Sequence, residues 1–194
     1  MILTTTLLER FYAALDAQQM PIATVLAPGL SDAEIDELTA PLGIALPDEL
    51  RLLWKWHDGV NAPPPPRDAN YGLGPDRWFA PLSKMVEACI TWREIAAEVS
   101  ETMQTWEPTW FPVVLGGVTP AADTAVAPDE PTPIHMVDPH LSRWPREPDL
   151  PSLGALIEIW TIALEERVIR REPDSGRLWI DDPSDGTRWP RGLP

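Results

Sequence analysis

Trp56-His57-Asp58-Gly59 sets an imidazole beside a carboxylate, a pairing that both general-base catalysis and metal ligation use. A second candidate is His135 and His140 with Asp138 between them. A His-x4-His spacing near a strand end does not aim two rings at one point, and no third histidine or cysteine lies close by. Asp181 to Gly186, DDPSDG, is like a calcium loop in composition only. It lacks the alternate-residue spacing and the closing Glu that cage the ion, so it reads as a turn. Cys89, the single cysteine, rules out an internal disulfide. It falls on an apolar helix stripe with no base nearby to draw off its proton. There is no Gly-x-Ser-x-Gly elbow and no glycine-rich phosphate cradle. The sequence therefore predicts no catalytic residue, no metal ligand and no cofactor.

Charge carries a stronger signal. The 194-residue chain has a formal net charge of -15 and a pI near 4.4. Nucleic acid is excluded as a partner, because its binding rests on Lys and Arg neutralising phosphates, and anionic membranes are disfavoured likewise. From Glu94 to Ser142 the chain carries eight carboxylates (Glu94, Glu98, Glu101, Glu107, Asp123, Asp129, Glu130, Asp138) and no Lys or Arg. Such a surface would steer in a basic protein. The start of the chain lacks a basic region ahead of an apolar one, and no apolar run is long enough to span a bilayer, so a cytoplasmic protein is expected.

The elements that must position these residues follow from periodicity. A helix is expected to Ala17 from Thr6 or Leu7, capped by Thr6 with Glu9 and burying Leu7, Leu8, Phe11, Tyr12 and Leu15. Ser31 and Glu34 form a capping box for a second helix that Gly43 ends. In the next helix Pro47 takes the first position, and Asp48 and Glu49 favour the positive end of the dipole. Leu50, Leu53, Trp54 and His57 then lie at i, i+3, i+4 and i+7, so His57 is expected on the buried stripe, with Gly59 turning the chain. Asp58 is expected to bond amides within that turn. Trp56, two residues from Trp54, must face elsewhere, either under a loop or outward as an interface anchor. Pro63 to Pro66 read as a stiff loop. A long helix follows from Ser83, with Met85, Cys89, Trp92, Ala96 and Val99 inward. WFPVVLGG, DTAVA and TPIHMVD are strand candidates, and a final helix with Leu153, Leu156, Ile157, Trp160 and Leu164 inward runs from Pro151 to Arg171. Residues 172–194 are expected as a hairpin or tail. Helices at both ends bracketing short strands predict a single α+β domain around a central, mainly antiparallel sheet.

Several of these motifs occur together in one family. Leu42-Gly43-Ile44-Ala45-Leu46-Pro47, then a helix ending in His57-Asp58-Gly59, then RWFAPLSKMVEA, the Trp110-Phe111-Pro112 strand and PSLGALIE resemble the SUKH superfamily over about residues 26–164. That family includes fungal regulators of cell-wall synthesis and many bacterial immunity proteins. The resemblance implies that Leu42, Gly43, Leu46, Pro47, His57, Asp58, Gly59, Trp110 and Pro112 are fold signatures. The chain departs from the family after the Trp-x-Pro strand, where Ala122-Asp123 replaces a Gly-Asp pair.

The resemblance implies a non-catalytic protein-binding domain, in bacteria an immunity protein that neutralises a toxin by covering it. The charge adds that the toxin would be basic, as nucleases are. The expected contact residues are Glu94, Glu98, Glu101, Glu107, Asp123, Asp129, Glu130 and Asp138, with Trp56 and Trp106 as aromatic anchors. An intracellular scaffold related to the wall-synthesis regulators is the alternative, and an enzyme of unrecognised type is the third class. A monomer or weak dimer is expected.

Overall fold

Helix α1 (Thr5–Ala17) begins at Thr4, whose side-chain oxygen accepts the Leu7 N–H at 3.2 Å. The expected cap at Thr6 is thus displaced by two residues. Starting at Thr4 places Leu7 and Leu8 inside the first helical turns, where both are buried. The computed structural model describes residues 1–60, 77–98, 106–137, 147–171 and 178–180. Glu101, Asp138, His140, Val99, the Pro63–Pro66 loop and the Asp181–Gly186 turn lie outside the described residues.

Helix α2 (Asp32–Thr39) has the predicted capping box, with both the Ser31 and Glu34 halves formed. A single 3-10 turn follows, and Gly43 at φ 65° closes it. Helix α3 (Asp48–Trp56) takes Pro47 as its cap rather than its first residue. Helix α4 (Leu82–Glu98) buries Met85 and Cys89, with Trp92 and Ala96 half-buried. Helix α5 (Leu153–Glu165) starts at Ser152, whose hydroxyl accepts the Ala155 N–H, and the five predicted inward residues are all buried.

Three strands form the largest sheet, in order β2 (Trp110–Pro112), β4 (Thr119–Asp123), β5 (Ile134–Val137), antiparallel throughout. Two pairs of short strands stand apart from it. These are β1 (Arg77–Trp78) with β3 (Leu115–Gly116), and β6 (Ile169–Arg171) with β7 (Leu178–Ile180). The fold is α+β. Two expectations need correction here. DTAVA is not a strand: β4 lies upstream and ends at Asp123, whose carboxylate accepts the Ala125 N–H at 2.9 Å and turns the chain. The last helix does not reach Arg171. Its apolar stripe runs out at Leu164, Arg167 adopts φ 59°, and the chain continues as β6, so the C-terminal hairpin begins at residue 169.

The three-stranded sheet is packed on both faces, as strand alternation requires. Phe111, Ala122, Ile134 and Met136 join the main core with α1, α3, α4 and α5. Trp110, Ala121 and Val137 point the other way, into a small cluster with Trp106, Trp92 and Ala96. Arg10 crosses from α1 to α5, bonding Glu158 at 2.9 Å and Glu165 at 2.5 Å. Among the described residues, no helix is long and apolar enough to cross a membrane.

Candidate functional site

The His57-Asp58-Gly59 stretch is a joint between elements. His57 leaves the helix with extended backbone and bridges Pro28, while its Nδ1 lies 2.8 Å from the Ala27 carbonyl oxygen. The expected place on the buried stripe is therefore wrong: the helix ends at Trp56, and His57 is half-buried against Tyr12, at a ring separation of 6.2 Å. Asp58 does not bond within its own turn either. It accepts the Leu82 N–H at 2.7 Å and so caps α4 from 24 residues upstream. Burial pushes its carboxyl up, and the Leu82 bond pulls the other way. Asp58→Ala is expected to cost about 1–2 kcal/mol in urea unfolding, as the loss of a helix cap does. Asp58→Asn, which keeps an acceptor, is expected to recover most of it.

The tryptophans expected to anchor a partner are engaged internally. Trp56 is half-buried, its ring 6.3 Å from Phe11 and 6.4 Å from Tyr12. Trp106 is only 3 % exposed, with Trp92 at 4.5 Å and Trp110 at 5.8 Å, so it offers no free face to a partner. Its position between a helix and a strand carried no periodicity from which burial could be read.

The carboxylates fare differently. Glu94 and Glu98 face solvent on the last turns of α4, and Glu107, Asp129 and Glu130 are exposed. Glu107 and Asp123 come together around His135, and the fold adds Asp149, which accepts the Met136 N–H at 2.6 Å. Asp129 and Glu130 occupy the β4–β5 turn, where the Pro128 carbonyl takes the Asp48 N–H at 2.9 Å and brings α3's acidic first turn alongside. Four described cations outside the run are ion-paired: Arg10 to Glu158 and Glu165, Arg51 to Asp32 and Asp36, Lys55 to Asp32, and Lys84 to Glu87. Arg167, Arg170 and Arg171 are exposed just beyond α5 and in β6. Arg93, just ahead of the run, donates to the carbonyls of Leu42 and Pro108.

Glu49 was missed as a buried group. Its side chain is only 2 % exposed. One oxygen accepts from Leu3 N at 2.6 Å and Gly154 N at 2.9 Å, the other from Thr132 N at 2.5 Å. A signal was present, since Glu49 shares a helical face with Leu53 and Trp56 at i+4 and i+7. Beside it opens a cavity of about 290 Å³ lined by Ile2, Leu52, Asp32, Asp48, Arg51 and Lys55 among others. Its lining includes neither His57 nor His135, and Asp32, Arg51 and Lys55 spend their charge on one another. Among the described residues no three ligating side chains are grouped as metal ligands. No protein-family model matches the chain, and no curated protein matches it at a significant level.

Proposed function

We propose that this chain is a non-catalytic, acidic protein-binding domain of the SUKH type, acting as an immunity protein that covers a basic, nuclease-type toxin. The observation that carries the reading is the disposition of charge. Arg10, Arg51, Lys55 and Lys84 are consumed in ion pairs elsewhere. The described carboxylates from Glu94 to Glu130 lie in a stretch with no cation of its own, and five of them are exposed. A local excess of negative charge of this kind speeds encounter with a basic surface and disfavours other partners. The sequence motifs that resemble the SUKH superfamily supply the immunity role, and charge supplies the basic partner.

The test is capture of partners from the native cell's lysate at low and at moderate salt. One dominant basic polypeptide, released as salt rises, is expected. Glu94→Lys/Glu98→Lys is then expected to weaken that complex at least about tenfold, mainly through slower association. Both side chains are exposed, so the fold should tolerate the change. Recovery of several unrelated cytoplasmic proteins, indifferent to salt and to these reversals, would move the assignment to an intracellular scaffold.

A further inference from the structure

We infer that His135 is an acid-sensitive latch: a proton on its imidazole loosens the small tryptophan cluster on the outer face of the β2–β4–β5 sheet. His135 sits in β5 opposite Ala121 of β4, and the small alanine lets the ring lie flat across the sheet on Trp110 of β2. The two ring centroids are 4.6 Å apart with planes 24° from parallel. The residue is 5 % exposed, and its Nδ1 has no hydrogen-bond partner. Trp110 in turn meets Trp106 edge-on, and Trp106 packs on Trp92 of α4. The indole Nε1 of Trp106 is a donor only, so the tryptophans of the cluster have no acceptor to offer an imidazolium N–H.

The charged groups that reach the ring come from three sides: Asp123 at the end of β4, Asp149 ahead of α5, and Glu107 ahead of β2. From α4 the cluster receives Trp92 and Ala96, and Cys89 donates its thiol to the Trp110 carbonyl. Burial pushes that thiol up, so it does not change charge in the acid range. All three carboxylates favour the imidazolium, yet burial outweighs them and holds the group below the ordinary histidine range. The sign follows. The folded form binds its proton less readily than the unfolded chain, so the latch is fully engaged above about pH 6.5 and weakens as pH falls below that value. The stack on Trp110 is what the proton disturbs, because an imidazolium needs solvent or a hydrogen-bonded anion that the closed cluster does not provide. This inference is independent of any partner, since it concerns the isolated domain.

The chain has three histidines, which makes the test direct. Histidine carbon-bound proton resonances and near-ultraviolet circular dichroism would be followed together from about pH 7.5 to pH 5. The His135 resonance is expected to titrate below the ordinary range, and the near-ultraviolet signal to change with the same midpoint. His135→Phe, which keeps an aromatic ring on Trp110, is expected to abolish that change while leaving far-ultraviolet helicity intact. A His135 resonance that titrates near pH 6.5 with no accompanying tryptophan change would overturn the proposal. So would the same near-ultraviolet transition in His135→Phe. If that variant does not fold, agreement or disagreement of the two wild-type midpoints decides the matter.

Discussion

Glu49→Ala is expected to destabilise the domain by about 4 kcal/mol, the largest effect of any single polar substitution proposed for it. The carboxylate accepts three backbone N–H groups, from Leu3, Thr132 and Gly154, which belong to three separate segments. Alanine removes the charge and leaves all three donors facing a void, each costing about 1–3 kcal/mol with partial relief from water entry. For a chain of this size the fall in Tm should be about 10 °C. Glu49→Gln separates charge from shape. It keeps one oxygen but turns an NH2 toward an N–H donor, and an intermediate loss is expected. Urea unfolding of both variants checks the ordering. A loss below about 1 kcal/mol for Glu49→Ala would mean that the three segments are held by their apolar contacts alone.

Gly59→Ala is expected to cost at least about 3 kcal/mol, whereas Gly43→Ala should cost about 1 kcal/mol. Both residues sit at φ 65°, so both substitutions carry the left-handed penalty of an L side chain. Their surroundings differ. A methyl at Gly43 meets nothing within 4 Å, while one at Gly59 would stand 2.5 Å from the Ala80 carbonyl carbon. The backbone there cannot give way cheaply. Gly59 O accepts from Ala27 N at 2.8 Å, and the next residue donates from Val60 N to Phe79 O, also at 2.8 Å. Equal losses at the two glycines would show that φ alone governs the joint. The expected gap assigns the excess at Gly59 to close approach of backbone.

The joint also shows how far reading the sequence can go. The Ser31–Glu34 box and the buried faces of α1, α3 and α5 were legible because their causes lie three or four residues apart. That Gly59 turns the chain was legible too, since turn chemistry is local. What Asp58 caps was not, because α4 begins 24 residues later. His57 was misassigned for a related reason. Helical spacing extends one residue too far when a backbone bridge to Pro28 competes with the last turn.

The candidate site divides the same way. Composition alone determined that this protein carries a strongly acidic stretch, and with it the kind of partner charge it suits. Local patterning determined the α+β class. Only the tertiary structure decided that Trp106 is enclosed by Trp92 and Trp110, that Asp149 joins Glu107 and Asp123 around His135, and that Glu49 faces inward. Each of these depends on side chains that meet across different elements, with partners up to 105 residues away in the case of Glu49. A one-dimensional pattern records which residues prefer to be buried. Which neighbours they find is set by how helices and strands pack, and that is where the geometry of this surface arises.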